Sequence, residues 1–271
     1  MQELFEKMKK RAAVVSAGWL GDTIACSAAA SSLSEKGYET TFFIRWPQLK
    51  PIFDNDKRFE TKLYGRYLTY KVHRPLVASR YAVIAREPER WGYEEPFTSE
   101  IRRIAGCEPV PEYELVLSPE QIAMTQFSKP KVKPVIAVAR DSYKRAYGRD
   151  IQDLISKLSV FAEIQWVGLD PEKDSKKGKD VSLVRDASLI HNADLFVGPE
   201  GGLLWLAAGL GTQCVYFTEH IAEISKNSSI GNPRLALGSK HHFPGGSHIE
   251  LPAYCSNEQV VKTIADIFEN R

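Results

Sequence analysis

The chain has 271 residues, of which 43% are hydrophobic and 26% are charged, the proportions of an ordinary globular protein. Its formal net charge of +2 balances 36 Lys and Arg against 34 Asp and Glu. That balance excludes a strongly basic nucleic-acid platform, although it leaves room for a local basic patch. The length predicts one large domain or two modest ones.

The cysteines and the first residues indicate the compartment. The four cysteines are far apart and form no Cys-x-x-Cys pair, which favours free thiols in a reducing compartment; they are Cys26, Cys107, Cys214 and Cys255. No apolar run is long enough for a transmembrane segment, and residues 1–13 lack the apolar core of a signal peptide. We therefore expect a cytoplasmic protein. A basic amphipathic helix at its start would allow peripheral attachment at the inner membrane surface.

The first half of the chain alternates strand and helix patterns. An apolar strand at residues 12–16 leads through a glycine turn into a helix at residues 23–34, and a second strand follows at residues 40–45. This order is the opening of a doubly wound parallel sheet. Further candidates are strands at residues 68–72 and 80–85, a loop at residues 87–96 and a helix at residues 99–105.

A second alternating series follows a stretch rich in proline and lysine near residue 130. Its predicted strands are residues 135–139, 164–168, 194–197 and 213–217, and its predicted helices are residues 151–161, 187–192, 203–209 and 257–268. We therefore predict two domains, residues 1–130 and 131–271, with a last helix that can return to the first domain. Two doubly wound domains leave a cleft between the carboxyl ends of their strands, where ligands bind.

The first glycine turn, from Gly18 and Trp19 to Gly21 and Asp22, is neither a dinucleotide fingerprint nor a P-loop. It places Asp22 in the first turn of a helix, where the helix dipole stabilises a carboxylate that faces the predicted cleft. Capping of the helix is the commoner role of such an aspartate, and the local sequence alone favours it. Gly18, Trp19 and Gly21 are predicted to line the same cleft.

The second glycine turn, Pro199 to Gly202, joins a strand to an apolar helix. Outward-facing N–H groups and the helix dipole favour an anion there, typically a phosphate. Glu200 is itself an anion, so we expect it to accept hydrogen bonds from ribose or sugar hydroxyls. A glycine-capped helix with an exposed Glu200 is an equally good interpretation of Gly201 and Gly202.

The loop after the first strand of the second half carries Arg140, Lys144 and Arg145. Cations at the carboxyl end of a strand suit a pyrophosphate, although a solvated polar loop has the same composition. His241, His242 and His248 are close in sequence, but no carboxylate or cysteine pattern accompanies them. We therefore predict no metal and no cofactor.

These two turns together resemble those of the ADP-heptose:lipopolysaccharide heptosyltransferases, glycosyltransferase family 9. Residues 14–30 are similar to the amino-terminal signature of that family, a strand, Gly-x-x-Gly-Asp and a helix of small residues. Its carboxyl-terminal signature is similar to residues 186–189, 193–198, 200–202 and 206–212. The resemblance spans most of the chain and is faint between residues 64 and 130.

The resemblance implies a GT-B fold, in which two Rossmann-like doubly wound domains face a central cleft. It implies an inverting, metal-independent transfer of a heptose or hexose from a nucleotide diphosphate sugar to a hydroxyl of a glycan or lipopolysaccharide core. An ADP-linked sugar is one donor that the resemblance allows. By the same resemblance Asp22 is the general base, Lys144 contacts phosphate, and the turn from Glu200 to Gly202 contacts the donor.

The chain departs from the pattern of that family at three places. Glu200-Gly201-Gly202 replaces the usual Asp-Ser-Gly, and Trp205 stands near the position of a histidine. Tyr147 occupies a position where the family tends to have Trp.

Three alternatives follow from the residues. Cations and aromatic residues alternate between Arg66 and Trp91, which would suit a glycosyltransferase acting on modified nucleic acid. A phosphorylated lipopolysaccharide core would suit this patch equally well, and a solvated surface is its plainest interpretation. The atypical turn at Glu200 would suit a non-catalytic nucleotide-sugar-binding protein. A Rossmann oxidoreductase is the weakest alternative, because the sequence has no Gly-x-Gly-x-x-Gly after a strand.

Overall fold

The described part of the chain forms two α/β units. The structure is a computed structural model, and it describes residues 11–16, 20–63, 82–84, 97–110, 112–125, 133–139, 149–168, 183–199, 201–218 and 248–270. The two compact units are Met1–Val116 and Leu117–Arg271. The division falls earlier in the chain than the predicted boundary at residue 130.

The first unit is a parallel sheet with helices. Its elements are β1 (Arg11–Ser16), α1 (Leu20–Glu35), β2 (Glu39–Ile44), a 3₁₀ turn (Pro47–Leu49), α2 (Lys50–Phe53), β3 (Phe59–Leu63), β4 (Ala82–Ile84) and α3 (Phe97–Ile104). The strand order is β3-β2-β1-β4, and every pairing is parallel. Since β2 and β4 lie on opposite sides of β1, the carboxyl end of β1 is at a topological switch point, the usual place for a ligand.

Small residues let α1 lie close to this sheet. Ala25, Ala28 and Ala29 of α1 are buried, as is Val14 of β1. The other end of the core is aromatic: the ring of Phe42 meets the rings of Phe53 and Phe59 edge-on, with centroids 5.2 and 5.7 Å apart. The sheet and α1 therefore form one core that fixes the start of α1 against the end of β1.

The second unit is a larger parallel sheet. Its elements are α4 (Pro119–Ala123), β5 (Val135–Ala139), α5 (Ile151–Leu158), β6 (Glu163–Val167), α6 (Leu183–Asn192), β7 (Leu195–Pro199), α7 (Gly202–Gly209), β8 (Cys214–Thr218), β9 (Ile249–Pro252) and α8 (Asn257–Glu269). The strand order is β6-β5-β7-β8-β9, again parallel throughout. The chain passes from β5 to β6 on one side and to β7 on the other, so the switch point lies between β5 and β7.

Two helices are assigned to the second unit by their contacts. Val260 and Ile264 of α8 are buried in the core that contains Leu154 and Phe217, so the buried face of the last helix belongs to the second unit. The predicted return of the last helix to the first domain stays a prediction. Before β5, α4 lies beside α6, where the backbone carbonyl of Ile122 accepts a hydrogen bond from Asn192 at 2.8 Å. This contact explains why the division of the chain precedes α4.

The strand candidate at residues 68–72 and the loop predicted at residues 87–96 lie outside the described residues. Within the described ranges, no helix combines the length and the apolar character that crossing a membrane requires.

Candidate functional site

The start of α1 places Asp22 at the carboxyl end of β1. β1 ends at the buried Ser16, and α1 begins at Leu20, with Gly21 buried in its first turn. Asp22 is partly exposed in the same turn, where the helix dipole favours a negative charge. The predicted cleft residues Gly18 and Trp19 lie outside the described residues.

The neighbours of Asp22 cannot replace it as a charged group. The buried hydroxyl of Ser16 donates to Thr23 Oγ1 at 3.0 Å. Cys26 lies one turn after Asp22, and burial, followed by the negative charge of Asp22, raises the pKa of the Cys26 thiol to about 12. A thiol with that pKa is protonated at neutral pH and is a poor nucleophile. The carboxylate of Asp22 is therefore the group at this helix start with the chemistry of a base.

The start of α7 presents backbone amides. Gly201 is the N-cap residue in an extended conformation, and its carbonyl accepts hydrogen bonds from Leu204 at 3.1 Å and Trp205 at 3.2 Å. The N–H groups of Gly202 and Leu203 have no partner within the helix, and Gly201 offers no side-chain cap. Such a helix start favours an anion. Glu200 lies outside the described residues.

A glycine brings the ends of β5 and β7 together. A Cβ atom on Gly198 would lie 2.8 Å from Ala139 Cβ and 3.0 Å from Phe196 Cζ, closer than carbon atoms pack. Val138 pairs with Val197, so Ala139, the last residue of β5, lies beside Gly198, the last but one of β7, at the switch point. The residue after Ala139 is Arg140. β5 therefore ends beside the strand that leads into α7.

Arg140 and Lys144 themselves lie outside the described residues. Their predicted role in binding phosphate stays a prediction. The next described residue is Arg149, which the sequence analysis does not single out. The signal available in the sequence is one arginine directly before Asp150, the N-cap of α5.

Two aspartates of the carboxyl-terminal signature have structural contacts. The carboxylate of the buried Asp186 accepts the backbone N–H of Gly168 at 3.1 Å, which fastens α6 to the end of β6. The carboxylate of Asp194 accepts the backbone N–H of Val135 at 2.8 Å and fastens the start of β5 to the start of β7. Part of the signature thus builds the sheet that carries the glycine turn.

Trp205 is a core residue. Its side chain is only 5% exposed on α7, beside the buried Leu204 and Leu206. The departure from the family pattern at Trp205 therefore adds packing beneath the turn. It does not add an exposed group at the start of the helix.

The histidines form no metal site among the residues that the structure describes. His241 and His242 lie outside the described residues. His248 Nδ1 accepts the backbone N–H of Cys214 at 3.2 Å, at the amino edge of β8, and burial lowers the pKa of this imidazole. In the ranges that the structure describes, no three His, Cys, Asp or Glu residues are grouped so as to hold a metal ion.

Two cavities of the described residues lie away from the glycine turns. One, of about 540 Å³, is lined by residues at the starts of β2 and β3, such as Thr40 and Phe59. The other, of about 480 Å³, lies between Gln213, Ile249 and Asp266. Both are at amino-terminal edges of the sheets, and open α/β sheets bind ligands at the carboxyl edges.

Comparisons with known proteins identify the fold. The sequence matches no protein-family model and no curated protein. The structure is similar to a family 9 glycosyl transferase from Veillonella parvula DSM 2008, with a TM-score of 0.68 and 13% identity over 97% of this chain and 98% of the other. It is also similar to ADP-heptose lps heptosyltransferase II of E. coli, with a TM-score of 0.61 and 15% identity over 96% and 100%.

A third similar structure contains a sugar nucleotide analogue. It is E. coli heptosyltransferase WaaC with ADP-2-deoxy-2-fluoro heptose, with a TM-score of 0.60 and 11% identity over 94% of this chain and 99% of the other. The predicted fold class is confirmed. This chain has the α/β fold of the GT-B glycosyltransferases, with two Rossmann-like units of parallel strands. The neighbours agree with the resemblance seen in the sequence, although identities this low show the fold alone.

Proposed function

We propose that this protein is a glycosyltransferase that moves a heptose or hexose from a nucleotide diphosphate sugar to an acceptor hydroxyl. The observation that carries the proposal is the start of α7. It is a helix end without a side-chain cap, at the switch point of a sheet whose fold is that of heptosyltransferases. Free amides at such a position suit the diphosphate of a sugar nucleotide.

The donor binds the second unit in this proposal. The amides of Gly202 and Leu203 hold the diphosphate, with Arg140 and Lys144 from the adjoining segment. Glu200 accepts hydrogen bonds from ribose or sugar hydroxyls. An ADP-linked sugar is the favoured donor, since E. coli WaaC has been solved with ADP and with ADP-2-deoxy-2-fluoro heptose.

Asp22 supplies the base. Its carboxylate takes the proton of the acceptor hydroxyl, the hydroxyl oxygen bonds to the anomeric carbon, and the bond from that carbon to the diphosphate oxygen breaks. Attack on the face opposite the leaving group inverts the anomeric centre. Such base assistance is worth about 10²–10⁴ in rate.

The leaving diphosphate gains negative charge as the bond breaks. Fixed amide dipoles and cationic side chains stabilise that charge, so the proposed mechanism requires no metal ion or other cofactor. The acceptor is a hydroxyl of a glycan or lipopolysaccharide core, by analogy with the E. coli heptosyltransferase II. We propose a cytoplasmic reaction, with peripheral attachment at the inner membrane surface.

A screen of donors tests the proposal. The protein is mixed with ADP-, UDP- and GDP-sugars, and the melting temperature and the release of nucleoside diphosphate are measured with and without lipopolysaccharide core acceptors. We expect one nucleotide series to raise the melting temperature, because a ligand that binds only the folded state stabilises it. Release of nucleoside diphosphate should require the acceptor and should continue in EDTA.

The outcomes separate the alternatives. Stabilisation without any release of nucleoside diphosphate would indicate a non-catalytic binding protein. Absence of stabilisation by every sugar nucleotide and by ADP would overturn the proposal. Retention of the anomeric configuration in the product would overturn the inverting mechanism alone.

A further inference from the structure

The strand β3 forms one edge of the first sheet. The strand order is β3-β2-β1-β4, and among the strands that the structure describes only β2 pairs with β3. Backbone groups along the outer side of such a strand are a template for another strand. The side chains of Glu60, Lys62 and Leu63 are exposed, so a partner strand has access to this edge.

The charges of β3 suit a second copy of the same strand. Glu60 and Lys62 lie on one face, two residues apart, and their side chains form an ion pair at 2.8 Å. The five residues of β3 therefore carry no net charge, and the edge does not repel its own copy. The other outer strands of the two described sheets differ: β4 has no charged residue, and β6 and β9 have one each, Glu163 and Glu250.

The spacing of these charges selects one register. A twofold axis perpendicular to the sheet places β3 antiparallel to the β3 of a second copy. With the axis at Thr61, Glu60 of each copy lies directly opposite Lys62 of the other. Phe59 then lies opposite Leu63, whose side chain is 48% exposed in the single chain.

The neighbouring registers oppose like charges. An axis at Glu60 places that glutamate opposite its own copy, and an axis at Lys62 does the same with two lysines. Opposite charges directly across a pair of strands stabilise it, and like charges destabilise it. Of the centres on these three residues, Thr61 alone joins opposite charges.

We propose that β3 is a docking edge for a second copy of this chain. It joins the four-stranded sheets of two copies into one continuous sheet across a twofold axis at Thr61. Five residues a side are few beside the roughly 20–30 residues a side of a standard interface, so the dimer is weak and forms at high protein concentration. The inference does not depend on the proposed function, since the start of neither α1 nor α7 belongs to β3.

Sedimentation equilibrium at protein concentrations from about 5 to 500 µM tests the proposal. The weight-average mass of the wild type should rise from that of one chain toward that of two. Glu60→Lys sets lysines opposite lysines, and Lys62→Glu sets glutamates opposite glutamates, so either variant should raise the dimer Kd about tenfold or more. An equal mixture of the two variants should recover the affinity of the wild type, because every lysine then faces a glutamate of the other chain.

The matched control makes the same change of charge on an inner strand. Glu39→Lys breaks the exposed ion pair of Glu39 with Arg11, which joins the starts of β2 and β1. Neither β1 nor β2 is an outer strand of the sheet, so this variant should dimerise as the wild type does. An equal loss of dimer in Glu39→Lys would show an effect of overall charge and would overturn the proposal.

Three other results would also overturn it. They are a wild type that keeps the mass of one chain over the whole range, a dimer that both β3 variants leave intact, and a mixture of those variants that stays monomeric. Hydrogen exchange in the wild type carries the test if a variant does not fold. Protection of the backbone amides of residues 59–63 should increase with protein concentration, and protection that stays constant would place the contact elsewhere.

Discussion

In both units a strand runs into the start of a helix, but the two helix starts differ in the source of the negative charge that they suit. In the first unit, α1 follows β1 and carries the carboxylate of Asp22 in its first turn. In the second unit, α7 follows β7, and its first residues, Gly201 and Gly202, have no side chain to cap the helix. Both helix starts lie at a topological switch point.

The difference shows that the residues of the first turn decide what a helix start can do. An aspartate satisfies the positive end of the helix dipole from within the protein, and its charge can then serve as a base. Two glycines bring no side chain of their own to these amides, which suits an anion from outside. The comparison can be tested by removing the carboxylate from the start of α1 and by introducing one at the start of α7.

The largest effect is expected from Asp22→Asn. This substitution keeps the shape of the side chain and removes the base, so kcat should fall by about 10²–10⁴. The Kd of the donor should not change, because the proposed donor site belongs to the second unit. Steady-state rates and calorimetric binding of ADP measure the two quantities.

Asp54→Asn is the matched control for that experiment. Asp54 pairs with Lys50 on the surface of the same unit, and its loss should leave kcat unchanged. Turnover by Asp22→Asn at the rate of the wild type would remove Asp22 from the mechanism.

A smaller effect is expected from Gly201→Asp, which gives α7 the chemistry of α1. A Cβ on Gly201 meets no atom within 4 Å, and Asp and Gly differ as N-caps by only a few tenths of a kcal/mol. The melting temperature should therefore change little. The carboxylate would occupy the free amides and repel the diphosphate, so the donor Kd should rise about 10- to 100-fold, or about 1.4–2.8 kcal/mol.

Gly201→Asn separates capping from charge. Asparagine caps the same amides without a negative charge, so its Kd should lie between those of the wild type and Gly201→Asp. If both variants bind the donor as tightly as the wild type, the start of α7 is not the phosphate site.

The strands that carry the site could be predicted from the sequence because their signals are local. The apolar run of β5 is predicted at its observed bounds, Val135–Ala139, and the glycine turns place the starts of α1 and α7 to within a few residues. Five of the described elements were not predicted: the 3₁₀ turn, α2, β3, α4 and β9. The strand β3 is polar and lies at a sheet edge, and its order comes from pairing with β2, which a local pattern does not reveal.

The contacts that hold the site together could not be predicted. Asp186 and Asp194 belong to a recognisable signature, but their partners are backbone N–H groups of Gly168 and Val135, distant in sequence. Arg149 reaches Asn257 across more than a hundred residues of chain. Such partners depend on the assembled sheet and leave no periodic pattern in the sequence.

Gly198→Ala tests the approach of β5 to β7. The new methyl group would lie 2.8 Å from Ala139 Cβ, and such overpacking costs about 1–3 kcal/mol in free energy of unfolding. Urea denaturation measures the loss. Gly201→Ala adds the same methyl group in open space, so its loss should be limited to the preference for glycine over alanine at an N-cap, and a loss as large as that of Gly198→Ala would contradict the steric explanation.

The smallest effect concerns His248, at the amino edge of the second sheet and far along the strands from α7. Its Nδ1 accepts the N–H of Cys214, and burial holds its pKa below the ordinary value of 6.5. The unfolded chain therefore binds a proton more readily than the folded protein. The free energy of unfolding should fall as pH drops below about 6.5, and the loss is complete once the folded protein is also protonated.

His248→Gln removes this titration, so the melting temperature of the variant should change less than that of the wild type between about pH 7.5 and pH 5.5. Donor affinity in the same pH range should be equal in the two proteins, because the imidazole lies at the edge of the sheet opposite the proposed phosphate site. A donor Kd that follows the protonation of His248 would connect the two edges and would break the separation between scaffold and site on which the comparison depends.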